Sequence, residues 1–261
     1  MAQDVLIERE GDLVHVILNR QHKRNALSFD MLDTIRDFFL EESKAEAPAR
    51  VVIVKARGEV FCAGMDIKDV STDLAQGGPN YLSEENHFEA CFRGIESYPY
   101  PVITQIMGPA MGGGCMLAAS CDIRIGAFGM MIAMTPTRMG VVYPPAGFRR
   151  LANIVGPSFA KEMIYTSRTY DDQTALRTGF VTHLAPSEEL DALAQDLAGH
   201  ILKTAPLASS GSKSVFKLMD RKVPVSDPRL SELVQISVQS QDAFEGFKAP
   251  LEKREPDFKG K

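Results

Sequence analysis

Two glycine-bearing turns in this chain carry the residue types that can hold an oxygen with negative charge: Ala63-Gly64-Met65-Asp66 and Gly112-Gly113-Gly114-Cys115. Each follows an apolar run that reads as a strand, Val51 to Lys55 before the first and Val102 to Met107 before the second, and Cys115 to Ser120 suits a helix that begins within the glycines. Glycine has no Cβ, so a ligand can approach the backbone closely, and the first N–H groups of a helix have no partner inside it. A strand running through glycines into a helix therefore offers amide donors and the positive end of a helix dipole to an anionic oxygen. The same glycines would also suit tight packing of helix on strand. No Gly-Lys-Ser/Thr follows them and the G-x-G-x-x-G spacing is missing, so a nucleotide phosphate is not the anion indicated.

The segment Val60-Phe61-Cys62-Ala63-Gly64-Met65-Asp66-Ile67-Lys68, taken with the Gly-Gly-Gly-Cys run, resembles the crotonase (enoyl-CoA hydratase/isomerase) superfamily. The likeness spans nearly the whole chain: Arg24-Asn25-Ala26-Leu27, the Ala-Gly-x-Asp turn, the glycine run closing on Cys121-Asp122, Gly156 before a helix, and Glu252-Lys253-Arg254-x-Pro256-x-Phe258. It implies an acyl-CoA thioester as substrate, with no cofactor beyond the coenzyme A that the substrate carries. In the family, one backbone N–H after Ala-Gly and one from the middle of the glycine run point at the thioester oxygen, and these positions are Met65 and Gly113 here. The resemblance also implies that Arg24, Ala26, Leu27, Ala63, Asp66 and Ile67 meet the nucleotide end of coenzyme A. Lys253 and Phe258 would reach it from the C-terminal segment, within range of a neighbouring subunit. Each has a plainer alternative, with Arg24 and Lys253 as solvated charges and Leu27 as core.

Hydratases of this family carry one glutamate directly after Gly-Gly-Gly-Cys and a second in a Pro-Glu step downstream, a pair that acts as base and acid on water. Met116 and Thr135-Pro136-Thr137 stand in those places, and neither moves a proton. The Δ3-Δ2 enoyl-CoA isomerases of the superfamily use that second position too, and the aspartate of dienoyl-CoA isomerases would fall near Pro144, so the resemblance gives these chemistries less support as well. The segment from Met134 to Tyr143 instead resembles the methylmalonyl-CoA decarboxylases of the superfamily, although those have a histidine where Met65 stands. The tail from Ser240 to Gly260 resembles mycobacterial members that lack both glutamates. Loss of CO₂ from a malonyl-type thioester leaves an enolate and needs no base, only a carboxylate held out of the thioester plane in a poorly solvated pocket. Tyr143 would orient that carboxylate, or else merely pack beside Pro144-Pro145. His87 and Glu89 are the remaining titratable candidates for catalysis, with Glu89 reading more simply as an exposed helical acid. Three functions stay open: an acyl-CoA lyase or isomerase working through an enolate, a hydratase that takes its protons from other residues, and a non-catalytic acyl-CoA binding protein.

The elements that must position these groups begin with a hairpin, Val5 to Glu8 and Leu13 to Leu18 around Gly11-Asp12. Ser28 then caps a helix to about Lys44 whose apolar face is Met31, Leu32, Ile35, Phe38 and Phe39. The stretch from Val70 to about Glu85, with Gly77-Gly78-Pro79-Asn80, reads as a mobile loop, and Glu84 to Glu96 as a helix stopped by Tyr98-Pro99-Tyr100-Pro101. After Gly156, helices are expected over 157–165, 172–178, 187–204, 206–220 and 227–249, broken only by a short strand near Val181 to Leu184. The residues alone give an α/β chain followed by helices. The resemblance makes it a crotonase (ClpP-like) spiral of β-β-α turns over residues 1–200. A helical C-terminal region, 201–261, would build a homotrimer or a dimer of trimers.

Composition removes several other classes of function. With 261 residues, 44% hydrophobic and 24% charged, the chain can bury a large core in one domain. Its 29 basic against 34 acidic residues leave a charge of −5, which argues against nucleic acid as the main partner. Neither a signal pattern nor a long apolar span stands out, so no membrane partner and a cytoplasmic location are expected. Cys62, Cys91, Cys115 and Cys121 match neither a disulfide framework nor a zinc site and read as buried thiols, and the five histidines form no metal-binding pair.

Overall fold

The computed structural model describes residues 3–75 and 86–261. The hairpin β1 (Val5–Glu10) and β2 (Leu13–Leu18) leads to α1 (Phe29–Glu42), β3 (Val51–Ala56), α2 (Ile67–Ala75), α3 (His87–Ser97) and β4 (Val102–Ile106). Next come β5 (Pro109–Met111), α4 (Gly113–Ala119), β6 (Ile123–Ala127), β7 (Met131–Ala133), α5 (Pro145–Thr166) and β8 (Thr169–Asp171). The chain then forms α6 (Asp172–Arg177), β9 (His183–Ala185), α7 (Leu190–Leu202), α8 (Pro206–Asp220), α9 (Pro228–Val238) and α10 (Gln241–Leu251).

The larger sheet runs in the order β1-β2-β3-β4-β6-β9, antiparallel in the hairpin and parallel thereafter. In the smaller one β5 pairs parallel with β7, and β7 antiparallel with β8. Single bridges from Leu27 to Met65 and from Cys62 to Ala110 extend that smaller sheet. Each passage of the chain thus gives a long strand to the first sheet and a short extended stretch to the second: β3 then 62–65, β4 then β5, β6 then β7. Helices follow the first two, so the β-β-α turns stack and the two glycine turns become neighbours.

A mostly parallel sheet needs apolar cover on both faces, and the alternation of the strands supplies it. Val14, Val16, Leu18, Val52 and Val54 join the main core with Ile35 and Phe39 of α1, Phe92 of α3, Leu117 of α4 and Leu151 of α5. Leu13, Val51, Ile53, Ile103 and Ile125 face the other way, under Leu190, Ala194 and Ala198 of α7. Ser28 caps α1 by accepting the Met31 N–H at 3.3 Å. No helix among the described residues is long and apolar enough to cross a membrane.

Several expectations need correction. The stretch expected to loop from Val70 is helical as far as Ala75 in α2; the rest of it, with Gly77-Gly78-Pro79-Asn80, lies outside the described residues. The single helix expected over 227–249 is two, because Ser240 accepts the Ala243 N–H at 3.0 Å and starts α10 afresh. The helix expected after Gly156 is the second half of α5, which begins at Pro145 and bends where Gly156 takes φ 77° and ψ 155°. A proline at the first helical position loses no hydrogen bond there, so Pro144-Pro145 starts a helix as readily as it ends one. Residue 200 falls inside the last turn of α7, and α8 beyond it is tied to the body by Lys213, whose Nζ donates to Asp122 Oδ2 (2.6 Å) and to Tyr100 O (2.9 Å).

Candidate active site

Strand register sets the two glycine turns against each other. Cys62 N–H donates to Pro109 O at 3.0 Å and Met111 N–H to Cys62 O at 2.9 Å, so residues 64–65 and 112–113 follow side by side. Leu27 holds the first turn from the other edge, donating to Gly64 O and accepting from Asp66 N–H, both at 2.8 Å. Within this frame the N–H groups of Met65 and Gly113 have no acceptor among the described residues. Gly113 is the first residue of α4, where no intrahelical partner exists. A Cβ placed on Gly113 would stand 3.6 Å from Met65 N and 2.8 Å from Met65 Sδ, which shows how closely the two amides converge. The turn requires its neighbours as well: Gly112 has φ 50° and ψ −112°, and a Cβ on Gly114 would lie 2.5 Å from Cys62 Cβ.

One turn along the same face of α4 stands Met116, fully buried. Its Sδ lies 4.0 Å from Nη1 of Arg150, a guanidinium on the first half of α5 that sits over the Phe92 ring at 5.4 Å. Arg150 also donates through Nε to Glu96 Oε1 (2.6 Å) and through Nη2 to Glu89 Oε2 (3.2 Å). Burial opposes a charged guanidinium, and Glu96 with Glu89 outweighs it, so Arg150 is held protonated. Two buried oxygens beside it have no hydrogen-bond partner among the described residues: Glu89 Oε1 and the Tyr143 hydroxyl. The Tyr143 ring lies so close over Gly147 that no methyl group fits between them. Burial first, and then the charge of Glu89, pushes this phenol well above the ordinary tyrosine range, so its proton stays on.

The candidates from the sequence thus fall into three groups. Met65 lies against Gly113 at the N-terminal turn of α4, while Tyr143, over Gly147, and Glu89, on Arg150, belong to the cluster that adjoins Met116 one turn further on. Glu89 is a correction to the expected exposed acid, since only 8% of it is exposed. The reason is that α3 buries Phe88, Ala90, Cys91, Phe92 and Ile95 on nearly every side, and Arg150 supplies the countercharge. His87, two residues earlier, points elsewhere: its Nδ1 is 2.8 Å from Asp33 Oδ1 and its ring stacks on Phe29 at 4.6 Å.

The second group is the residues expected at the nucleotide end. Ala63 N–H donates to Arg24 O at 3.0 Å, while Asp66 takes Arg20 Nη1 at 2.7 Å, which holds its carboxyl below the usual range. Ala26 O accepts from the same Arg20, and Arg24, Ala63 and Ile67 are exposed beside them. Leu27 is fully buried, so only its backbone belongs to this edge. The third group, Lys253 and Phe258, follows α10, with the Phe258 ring against Gly246; no hydrogen bond or ion pair among the described residues ties it to the 24–27 edge. All four cysteines are buried free thiols.

Two residues that hold this arrangement escaped the sequence reading. Arg150 carried a signal in retrospect, an arginine amid Gly147, Leu151 and Ile154 at helical spacing, but the helix itself was hidden behind the prolines. Asn25 lies inside a quoted motif without having been singled out. It is fully buried at φ 54°, accepts from Arg20 N–H (2.8 Å) and donates to Arg57 O (2.9 Å) and Val60 O (2.8 Å), anchoring the 24–27 edge.

The family model described as enoyl-CoA hydratase/isomerase matches residues 8–261. The "Enoyl-CoA isomerase/hydratase fer4" of Mycosarcoma maydis is 30% identical over 264 residues, covering 95% of this chain and 92% of that protein. The "Methylmalonyl-CoA decarboxylase" of Escherichia coli is 30% identical over 245 residues, covering 93% of this chain and 92% of the relative. Among solved structures, an enoyl-CoA hydratase/isomerase family protein from Hyphomonas neptunium superposes with a TM-score of 0.91 at 26% identity, covering 99% of this chain and 98% of that one. The names of these relatives cover hydration, isomerisation and decarboxylation, so similarity alone leaves the reaction open.

Proposed function

The chain belongs to the enoyl-CoA hydratase/isomerase family and has its crotonase fold, and from that premise we propose that it acts on an acyl-CoA thioester through an enolate, by a lyase or isomerase reaction rather than by adding water. The observation that carries this reading is the pair of convergent amides, Met65 N–H and Gly113 N–H, with no acceptor among the described residues. Donors fixed where the oxyanion of an enolate develops need no reorganisation when the charge appears, and removing one such donor typically costs about 10²–10³ in rate. Glycine turns supply these donors from backbone, so the side chain at residue 65 is free to be methionine.

Against hydration stands the chemistry of the neighbouring side chains. Met116 is a buried thioether with no proton to give or take, and Thr137 spends its hydroxyl on Ile164 O and Ser167 Oγ at 2.7 and 2.6 Å. Thr135 Oγ1 lies beside Gly112, and its hydroxyl is neither an acid nor a base at neutral pH. The exposed edge of Arg24, Ala26, Ala63, Asp66 and Ile67 is proposed for the nucleotide of coenzyme A, with Lys253 and Phe258 reaching it from a neighbouring subunit. A homotrimer or dimer of trimers fits the apolar stripe that α10 leaves uncovered, Phe244, Phe247 and Leu251, each at least 70% exposed. No cofactor is needed beyond the coenzyme A of the substrate.

Crotonyl-CoA hydration, followed by loss of the conjugated enoyl absorbance, tests this. The expected rate is at least about a hundredfold below that of a hydratase with two glutamates, because general acid and base steps each contribute about 10²–10⁴. Met116→Glu should not restore it, as the second carboxylate stays missing. Hydration by the wild-type protein at the full rate of such an enzyme would overturn the reading.

A further inference from the structure

The Glu89–Arg150–Glu96 cluster joins α3 to α5 and has an obvious structural use as a buried ion pair. Two features exceed that use. Glu96 meets Arg150 at 2.6 Å with a third of its side chain in solvent, so one carboxylate already balances the charge of the guanidinium. Glu89 meets it more loosely at 3.2 Å, is almost completely buried, and leaves Oε1 with no partner among the described residues. A buried carboxylate oxygen without a donor is rare enough to require a reason, since such groups are normally paired. Beside it the Tyr143 hydroxyl is likewise buried and unpaired, and Glu89 is the strongest charge acting on it. Glu89 connects to this region through Arg150, whose Nη1 lies 4.0 Å from Met116 Sδ, and the Tyr143 ring and Met116 both adjoin Gly147; Met116 stands one helical turn from Gly113.

We infer that Glu89 is the proton-transfer residue of this site and that the acyl group it serves is uncharged; this rests on the enolate reading above. The carboxylate takes a proton from carbon 2 of the acyl chain. The C2–H bond breaks, its electron pair forms the C1–C2 double bond, and the thioester oxygen becomes the oxyanion held by Met65 and Gly113. With a 3-enoyl thioester the charge extends to carbon 4. The protonated Glu89 returns the proton there as the oxyanion collapses, leaving the double bond between carbons 2 and 3, with no oxidant or reductant consumed.

The charge count selects the substrate. One guanidinium is shared by two carboxyl groups, so the cluster already has an acid in excess, and a substrate carboxylate placed at the buried Tyr143 hydroxyl would add another. A neutral acyl chain meets no such penalty. Tyr143, which keeps its proton, is a donor of fixed position beside the reacting carbons rather than a clamp for a carboxylate. The site has therefore moved its acid from α4, where the family's hydratases carry it, to the first turn of α3.

The test uses the full-length protein with butanoyl-CoA and hex-3-enoyl-CoA in D₂O. Deuterium entry at carbon 2 and movement of the double bond are read by NMR, with acyl-CoA binding by calorimetry and a thermal melt on every variant. The wild-type protein should exchange both and release no CO₂ from methylmalonyl-CoA. Glu89→Gln keeps the shape and an oxygen for Arg150; it should lose at least about a hundredfold in exchange with binding within a factor of two. Glu96→Gln, which loosens Arg150 from the solvent side, should keep at least a third of the exchange, an outcome a merely structural role for the cluster would not produce. If Glu89→Gln fails to melt cooperatively, the double variant Glu89→Gln, Arg150→Met removes both charges together and must show the same hundredfold loss. Undiminished exchange in either Glu89 variant overturns the inference. So does acyl-CoA binding without exchange in the wild type, or CO₂ release from methylmalonyl-CoA outpacing exchange. Absence of acyl-CoA binding altogether instead overturns the enolate reading on which the inference stands.

Discussion

Adjacent glycines in the second turn should respond oppositely to alanine. At Gly113 the backbone is helical, and a new Cβ would meet only the far end of a flexible side chain, Met65 Sδ at 2.8 Å and Cγ at 3.1 Å, while standing 3.6 Å from Met65 N. Met65 can swing aside, and alanine in helical backbone contributes about 0.4–1 kcal/mol through the unfolded chain, so stability should change by no more than about 1 kcal/mol. The methyl group, however, occupies the gap between the two amides, where the oxyanion must sit. Losing one donor there corresponds to about 10²–10³ in rate, or roughly 3–4 kcal/mol. At Gly114 the Cβ would lie 2.5 Å from Cys62 Cβ and 2.7 Å from Cys62 O, atoms fixed by the hydrogen bonds to Pro109 and Met111. Overpacking of that kind costs about 1–3 kcal/mol, or about 2–4 °C of melting temperature for each kcal/mol in a chain of this size. Deuterium exchange into butanoyl-CoA and a circular-dichroism melt measure both effects. Gly113→Ala with normal exchange, or with a melting loss as large as that of Gly114→Ala, would refute the reasoning.

Asn25→Ala should cost about 2–3 kcal/mol by denaturant unfolding, because it leaves partly buried backbone groups of Arg20, Arg57 and Val60 without their partner and forces alanine to φ 54°. Asp66→Asn should lower stability at neutral pH but progressively less in acid. Arg20 depresses the folded-state pKa of Asp66, so its contribution is complete above the unfolded value of about 3.9 and is lost as pH falls through the lower folded value. The difference in unfolding free energy between wild type and variant should therefore be flat from pH 5 to 8 and shrink below about pH 4. Burial pushes the thiols of Cys62, Cys115 and Cys121 up to about 12. A disulfide reagent at pH 8 should thus find them about a thousandfold or more slower in the folded protein than in denaturant.

What the sequence revealed of this site was the part governed by local rules. The turns at Gly64 and Gly112 are legible because only glycine takes those backbone angles or admits such close neighbours, and the Ser28 cap because a hydroxyl at that spacing ends a helix in one way. The convergence of the two turns was not legible from residues alone, since it depends on the single Cys62–Ala110 bridge between distant segments. Strands β5, β7 and β8, three residues each, are too short to display a period of two. Glu89 looked like an exposed acid because its burial is decided by Arg150, 61 residues away, on a helix half concealed by Pro144-Pro145. The polar partners of a buried charge are set by packing, and no local pattern announces them.

The most direct measurement is the infrared difference spectrum of butanoyl-CoA labelled with ¹³C at the thioester carbonyl, free and bound to the protein. If the Met65 and Gly113 amides both donate to that oxygen, the labelled carbonyl band falls to lower frequency on binding than in water, and Gly113→Ala returns most of the shift while the ligand remains bound. A bound carbonyl at its aqueous frequency, or a shift untouched by Gly113→Ala, would contradict the account.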